Sequence, residues 1–382
     1  MGEGERRQIL GKRIRVARER LEMTQKELAS EASLSVHQIV SQIEKGQREV
    51  KAWELAALAK ALRMGMSELL SETELEATPI VLWRKNPQEA KEVIEATFIK
   101  HCHEYATLEK LCDEVVKRDL PDINVGIDSF DFKDAKPLAE NVVKLLNLGS
   151  RPAISLIRTL EDTYGVKVWY EDLGEEGSAA CTIGSFGRAI LMNSVEAPWR
   201  RNFSFAHELF HILTWSSLGA ERLSESEELK IKFEAIANTF ASIVLLPRKP
   251  LKEAFDSRVK NSRIEYTALI EIARAFDVST SALLYRLLDL QCMDRDTVDS
   301  LRENSAFRAL DRSTMPGKWW QPPEMPERFV HLAFTAYQKG RLSRARLAQY
   351  LNTSLLDLTD VLLEYGLDDR EDYKAEVRAS RC

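Results

Sequence analysis

One apolar stretch that contains three polar side chains constrains this chain more than any other feature. Residues 203–215 read FSFAHELFHILTW, a run that suits a buried helix except at His207, Glu208 and His211. Burying such side chains costs free energy unless they bind one another or a shared partner. The stretch therefore predicts a buried helix that carries a polar site.

The spacing of these three residues is that of an HExxH motif. On a helix, His207 and His211 lie one turn apart on one face, so both imidazoles can reach a single Zn²⁺ ion. Glu208 lies about 100° further round the helix. There it can border the site and take a proton from an attacking water molecule without holding the metal. A structural alternative stays open at this point, because two core histidines satisfied by hydrogen bonds would give the same motif.

A third ligand would distinguish a metal site from a chance match. Thr214 and Ser217 stand where the metzincin continuation needs Gly and His. A carboxylate on a second helix is the other common solution, and the candidates are Glu221, Glu225, Glu227, Glu228 and Glu234. The first four lie in a charge-rich segment and are expected to be solvated. Glu234 lies at the edge of the apolar stripe of the next helix, so we predict it as the third ligand, with Asn238 one turn further as a supporting residue.

Together, these two segments resemble the ImmA/IrrE family of zinc metallopeptidases. RRNFSFAHELFHIL followed by FEAIANTFASIVLLP matches an Arg-rich lead-in, HExxH, and an E-x-x-A-N-x-F-A helix that ends in Leu-x-Pro. The matched residues are Arg200, Arg201, Phe203, Ala206, His207, Glu208, His211, Glu234, Ala237, Asn238, Phe240, Ala241 and Pro247. The resemblance implies a zincin-like domain in which the two histidines and Glu234 hold Zn²⁺ and Glu208 is the catalytic base. Phe210 stands where the family often has Gly, and we expect it to narrow the cleft.

The first 71 residues carry a second pattern, made of short helices. Thr24 precedes QKELASEA with Glu27 three residues later, which is the spacing of a capping box. Short helices joined by tight turns indicate a helix-turn-helix unit. The segment from LGKRIRVARERLEMTQKELAS to VHQIVSQIEKGQR resembles the XRE helix-turn-helix family. This resemblance implies that VHQIVSQ enters the major groove of double-stranded DNA, with the expected DNA contacts at Gln25, His37, Gln38 and Ser41.

Composition limits the remaining classes of protein. No apolar run is long enough to span a bilayer, and the start MGEGERRQIL lacks the apolar core of a signal peptide. We therefore expect a cytoplasmic protein with no membrane partner. The net charge is −6, whereas residues 1–70 hold 13 Lys and Arg against 10 Asp and Glu. A mildly basic end module in an acidic chain suits DNA binding by that module alone.

A second set of possible metal ligands lies in a long amphipathic helix. His101, Cys102, His103 and Cys112 are close in sequence. Residues two apart on a helix face different directions, so His101 and His103 cannot share one site. We expect no metal there, and we expect the cysteines to be reduced thiols because the five in the chain form no CxxC pair.

The chain is predicted to be α+β, predominantly α, in four parts. Residues 1–71 form the DNA-binding helix-turn-helix domain. Residues 72–134 form a linker that runs into a short strand and is followed by an amphipathic helix. Residues 135–290 form the metallopeptidase domain with a small sheet, and residues 291–382 form a helical region that is a candidate for partner binding. Within the third part, VKVWYEDL and GRAILMN are predicted strands separated by a Gly-rich turn at residues 174–187.

The two resemblances together imply a DNA-binding transcriptional regulator that cleaves a partner protein. A repressor cleaved in stress or mobile-element control is the expected substrate, and a homodimer on operator DNA is the expected assembly. The alternative is a repressor or the antitoxin of a toxin–antitoxin pair, in which the peptidase-like domain binds a partner without significant cleavage. The complete set of HExxH and Glu234 favours the first interpretation.

Overall fold

The computed structural model describes most of the chain. The described residues are 3–21, 23–70, 79–114, 118–127, 129–218, 223, 226–315 and 320–369. The predicted α+β class with a predominance of helix is confirmed, since one four-stranded sheet stands among many helices. Within the ranges given, no helix combines the length and the apolar character that crossing a membrane requires.

Five helices at the N-terminus form the predicted helix-turn-helix bundle. They are α1 (Glu3–Arg20), α2 (Gln25–Glu31), α3 (His37–Glu44), α4 (Ala52–Ala61) and α5 (Met66–Leu69). The capping box at the start of α2 is confirmed, because Glu27 N donates to Thr24 Oγ1 and Thr24 N donates to Glu27 Oε2. The bundle has an apolar core of its own, to which Ile14, Leu28 and Val40 contribute.

Helices α1 and α3 approach each other at backbone distance. A Cβ atom at Gly11 in α1 would lie 2.2 Å from the carbonyl oxygen of Ile43 in α3, so the contact requires glycine. Close by, Arg18 Nε donates to Glu44 Oε1 at 2.6 Å, and the Glu44 side chain is 3% exposed. A glycine contact and a buried ion pair therefore fix α1 against α3.

The sheet lies in the remainder of the chain. Its strands are β1 (Val81–Trp83), β2 (Lys167–Glu171), β3 (Ala179–Gly184) and β4 (Gly187–Asn193), in the spatial order β1-β3-β4-β2. β3 pairs antiparallel with β1 and β4, and β2 pairs parallel with β4. Among the described strands, β1 is therefore an edge strand with one side unpaired.

One strand lies where the sequence predicts other structure, and the short strand predicted after the linker is found. β3 occupies the segment predicted as a Gly-rich turn at residues 174–187. β1 is the short strand expected within residues 72–134, and it pairs with β3 in the sheet. Ala179, Ala180 and Cys181 are all fully buried, so no alternation of apolar and polar residues marks β3.

The remaining regular elements of the described chain are helices. They are α6 (Lys91–Leu111), α7 (Phe132–Leu145), α8 (Pro152–Tyr164), α9 (Pro198–Leu213), α10 (Trp215–Leu218), α11 (Glu227–Leu245), α12 (Arg248–Asp256), α13 (Tyr266–Ala275), α14 (Thr280–Asp289), α15 (Arg295–Glu303), α16 (Ser305–Ser313), α17 (Glu327–Gln338), α18 (Arg344–Tyr350) and α19 (Leu358–Glu364).

These helices cover both faces of the sheet. Ile190 of β4 packs in a cluster with residues of α7, α8, α9 and α11, whereas its neighbour Leu191 packs in a cluster with residues of α6 and α17 to α19. Successive side chains of a strand point to opposite faces, so the two clusters are separated by the sheet. Part of the region predicted as helical beyond residue 290 therefore forms one covering layer of the sheet.

Candidate metal centre

Helix α9 carries two histidines on its buried face. It begins with Pro198, which suits a first turn whose N–H groups have no helical partner. His207 and His211 lie one turn apart, and the two residues are 0% and 4% exposed. Their Nε2 atoms are 3.2 Å apart, so both imidazoles point to one location.

Glu234 on α11 completes this group. Its Oε2 atom lies 3.1 Å from His207 Nε2, and its Oε1 atom lies 3.4 Å from His211 Nε2. One ligand atom from each of the three residues lies within 4.8 Å of the others, so together they could hold a metal ion. Two imidazole nitrogens and one carboxylate oxygen are a donor set found in catalytic metal sites of proteins.

The other candidate ligands lie elsewhere or outside the described residues. Glu227 and Glu228 are exposed in the first turn of α11. Glu221 and Glu225 lie outside the described residues. Across the part of the chain that the structure describes, His207, His211 and Glu234 are the one group of three such side chains.

The His101 segment has the character of a packed helix. His101 stacks on Trp169 with ring centroids 4.0 Å apart. Cys102 and Cys112 are buried in the apolar cluster that α6 forms with Leu191 on one face of the sheet. These side chains belong to the packing of α6 against the sheet.

Glu208 borders the group without joining it. The residue is 1% exposed, and neither carboxylate oxygen has a hydrogen-bond partner in the described part of the chain. Burial raises the pKa of Glu208 to about 7. A carboxyl group with such a pKa can accept a proton and return it near neutral pH.

The ionisation of two of the three converging residues, His207 and Glu234, suits metal binding. Burial lowers the pKa of His207 to about 4. Burial also disfavours the charged form of His211, but its hydrogen bond with Glu234 raises the pKa overall. Burial would raise the pKa of Glu234, but the two imidazoles lower it well below its usual range. A neutral His207 and an ionised Glu234 are the forms that bind metals.

Asn238 lies one turn beyond Glu234 on α11. Its Oδ1 atom is 3.1 Å from His207 Nδ1, and the same oxygen accepts a hydrogen bond from Arg84 Nη2 at 3.4 Å. The sequence indicates Asn238 as a supporting residue. It does not indicate Arg84, because a single arginine after a three-residue strand belongs to no motif.

The four residues expected to contact DNA lie on α2 and α3. His37 and Gln38 are exposed in the first turn of α3, and Ser41 is half-buried one turn later. Gln25 begins α2, and its Nε2 donates to Glu44 Oε2 at 2.8 Å. The amide of Gln25 is therefore tied to a buried carboxylate, whereas His37 and Gln38 face solvent.

Comparison with known proteins assigns both units to families. Residues 161–288 match the family model described as the IrrE N-terminal-like domain, and residues 9–71 match that described as a helix-turn-helix domain. The chain joins these two domains. The IrrE-like domain belongs to a metallopeptidase family, which implies a metal ion, and the three converging side chains could hold one.

The chain is also similar to individual proteins over part of its length. It is 32% identical over 107 residues to the radiation response metalloprotease IrrE of Deinococcus radiodurans. That alignment covers 26% of this chain and 30% of the relative's own length. A solved structure of a Mycobacterium tuberculosis transcriptional regulator aligns with a TM-score of 0.33 and 18% identity, over 50% of this chain and 53% of that one.

Two cavities flank the candidate metal centre of the IrrE-like domain. One, of about 520 Å³, is lined in part by Arg84, Ser204 and Asn238. The other, of about 210 Å³, is lined in part by His211, Glu234 and the residues of β1. The edge strand β1 and the arginine that follows it therefore run past the centre from one cavity to the other.

Phe210, which the resemblance led us to expect at the cleft, is not among the residues that line these two cavities. Phe210 is fully buried, and its ring centroid lies 5.5 Å from that of Phe240 and 6.3 Å from that of Phe130. Phe210 precedes His211 and lies about 100° from it round α9, where the edge of one ring meets the face of the other with centroids 5.5 Å apart. It therefore packs in the core of the IrrE-like domain beside the second histidine.

Proposed function

We propose that this chain is a DNA-binding regulator whose IrrE-like domain is a zinc-dependent endopeptidase. The observation that carries the proposal is the convergence of His207, His211 and Glu234 beside the buried carboxylate of Glu208. A purely structural role would explain the first three residues through their mutual hydrogen bonds. It would not explain Glu208, a buried carboxylate beside them whose oxygens accept no N–H or O–H hydrogen bond among the described residues and whose polar neighbours include the weakly donating Cys181 thiol. Such a group is costly unless it has a task.

Each residue of the centre has a role that its position supports. His207, His211 and Glu234 would hold the zinc ion, for which two imidazoles and a carboxylate are suitable donors. When bound, zinc polarises a carbonyl group and lowers the pKa of water. Glu208 would accept the proton of the attacking water and later donate it to the leaving amine, which a pKa of about 7 allows.

The surroundings of the centre favour an extended polypeptide as substrate. An unpaired strand edge can bind a further strand through backbone hydrogen bonds, and β1 offers such an edge beside Glu234. The cavities on the two sides of the centre would take side chains from both sides of the cleaved bond. Cleavage inside a partner protein, such as a repressor, agrees with this arrangement.

The helix-turn-helix domain would direct this activity to operator DNA. His37 and Gln38 are the exposed polar side chains at the start of α3, the position from which a recognition helix contacts base edges. A homodimer would read two half-sites with two copies of α3. The similar protein of D. radiodurans is a radiation response metalloprotease, which supports a role in stress control.

The decisive experiment is digestion of a proteome-derived peptide library by the zinc-loaded full chain. We expect new termini with a shared sequence pattern, which a chelator abolishes and added zinc restores. Mass spectrometry of the library gives the cleaved bonds. If protein with one zinc ion bound cleaves nothing, the endopeptidase proposal fails, and a repressor or antitoxin that holds its partner becomes the better interpretation.

A further inference from the structure

Arg84 is a guanidinium that lies beside the candidate metal centre and bonds to neutral side chains. It follows β1, and its backbone N–H continues the sheet by donating to Ala179 O at 3.0 Å. Its Nη1 donates to Ser204 Oγ at 2.6 Å, and its Nη2 donates to Asn238 Oδ1 at 3.4 Å. Arg84 thus connects the edge strand to α9 and α11, the two helices that carry the converging residues.

The charge of Arg84 works against a cation bound nearby. Burial lowers the pKa of Arg84 from its usual value, and the carboxylates of Glu208, Glu196 and Glu234 oppose this shift and favour the charged form. Like charges repel, and the repulsion is stronger in a partly buried site than in water. The charge of Arg84 alone would therefore weaken metal binding. If Arg84 favours metal binding, it must do so by an effect other than its charge.

The hydrogen bonds of Arg84 supply such an effect through Asn238. Asn238 is exposed, so packing does not fix which way its amide group faces. A guanidinium can only donate hydrogen bonds, so the amide atom that faces Arg84 must be the oxygen. The same oxygen lies 3.1 Å from His207 Nδ1, which must then carry the proton of the hydrogen bond between them.

The consequence for His207 is a defined tautomer. With the proton on Nδ1, a neutral imidazole leaves its lone pair on Nε2, the atom that faces His211 and Glu234. If the amide of Asn238 turned round, its NH₂ group would donate to Nδ1 and favour the proton on Nε2, where it would block a metal. Arg84 excludes that orientation because two donors would then face each other.

A second set of hydrogen bonds holds Arg84 in place. Ser204, which accepts from Nη1, is 1% exposed and lies 3.0 Å from Ser178 Oγ. Both hydroxyl groups also reach the Glu196 carboxylate, Ser178 at 3.2 Å and Ser204 at 3.4 Å. The arginine is therefore anchored on the side away from Asn238, so its other nitrogen is fixed for the contact with the amide.

We propose that Arg84 is a positioning residue that acts through Asn238 to keep Nε2 of His207 free for the metal. The proposal rests on the metal site proposed above and adds a residue that no HExxH motif contains. The proposal predicts the direction in which zinc affinity changes when Arg84 is lost. Loss of Arg84 weakens zinc binding, although it removes a positive charge that repels zinc.

The test is the zinc affinity of full-length variants, measured by competition with a chromophoric chelator. We expect Arg84→Met to weaken zinc binding roughly tenfold, the lower end of the range for a lost supporting residue. Arg84→Lys keeps a donor-only cation and is expected to recover most of the affinity. Lys85→Met is the matched control, because it removes an exposed positive charge from the next position on the same cavity. It is expected to leave the affinity unchanged or slightly increased.

Repeating Arg84→Met in an Asn238→Asp variant distinguishes a positioning role of Arg84 from a general structural role. In Asn238→Asp, either carboxylate oxygen can accept from His207 Nδ1, so orientation no longer matters. Arg84→Met is then expected to cost little affinity in that background. An equal loss in both backgrounds would overturn the proposal and assign Arg84 to structural support, which the melting temperature of each variant would also show.

The outcomes for this inference and for the metal site differ. If wild type binds no zinc, the metal site itself is wrong and this inference falls with it. If wild type binds zinc and Arg84→Met binds it equally or more tightly, the charge alone explains Arg84, and only this inference is overturned.

Discussion

Glu208 and Glu234 lie in one site, and their pKa values are shifted in opposite directions. Burial raises the pKa of Glu208 to about 7. Burial would also raise the pKa of Glu234, but hydrogen bonds with His207 and His211 lower it. Environments that separate the pKa values of two carboxyl groups commonly divide proton transfer from charge stabilisation. This difference gives the two glutamates distinct mutational signatures.

Glu208→Gln is expected to abolish cleavage and leave the metal in place. An amide cannot accept the proton of water, and general-base contributions are typically about 100- to 10,000-fold. We would measure the cleavage rate with the fastest-cleaved library peptide, and the zinc content of the same sample. Glu227→Gln, an exposed position on α11, is the matched control and should keep the wild-type rate. Equal rates for wild type and Glu208→Gln would show that Glu208 is not the base.

Glu234→Gln is expected to reduce zinc affinity, because it removes a charge and a ligand oxygen together. The loss should exceed the roughly 10- to 100-fold cost of losing a supporting residue. Equilibrium dialysis against buffered zinc measures this affinity, with Glu228→Gln, at an exposed position earlier on α11, as the control. Unchanged affinity in Glu234→Gln would mean that a residue outside this group completes the site.

Gln38→Ala is expected to weaken specific DNA binding without changing zinc content. Gln38 is exposed in the first turn of α3, and a good bidentate base contact contributes roughly 1–3 kcal/mol of discrimination. The probe is a duplex selected from a random-sequence pool by the wild-type chain. Ser30→Ala, an exposed position on α2, serves as the control. If both variants bind the selected duplex as wild type does, α3 does not read this DNA through Gln38.

Local patterns in the sequence predicted the parts of this molecule that local chemistry determines. The one-turn spacing of His207 and His211 and the capping box at Thr24 depend on neighbouring residues, and the structure shows both arrangements. Glu234 could be chosen because its helix has one apolar stripe and the other glutamates lie in a charged segment. In each case the chain within a few residues contains the necessary information.

The features that the sequence did not predict depend on tertiary contacts. β3 is buried on both faces by helices from distant parts of the chain, so its residues show no alternation. Arg84 acquires its role only when β1 joins the sheet beside α9 and α11. One arginine carries no periodic signal, and the contacts that give Arg84 its role span more than a hundred residues of sequence.

Glu161 on α8 is expected to make stability depend on pH. Burial raises the pKa of its carboxyl group from the usual 4.5 to about 8, so the folded chain favours the protonated form. The contribution of Glu161 to the free energy of unfolding is therefore fully present below pH 4.5. It is lost as the pH rises through 8. Glu161→Gln should melt at a higher temperature than wild type above pH 8, and the difference should shrink on acidification. A constant difference across this range would contradict the assignment.

Gly11 and Gly4 lie on the same helix and should respond to alanine in opposite ways. A Cβ atom at Gly4 meets nothing within 4 Å, so Gly4→Ala gains helix propensity of at most about 1 kcal/mol. A Cβ atom at Gly11 would lie 2.2 Å from Ile43 O, and backbone on both sides leaves the contact no flexible group to move. Gly11→Ala must therefore separate α1 from α3, at a cost of about 1–3 kcal/mol. Thermal melting of the helix-turn-helix domain within the full chain measures both effects. If the two variants melt together, the close approach of α1 and α3 does not contribute to stability.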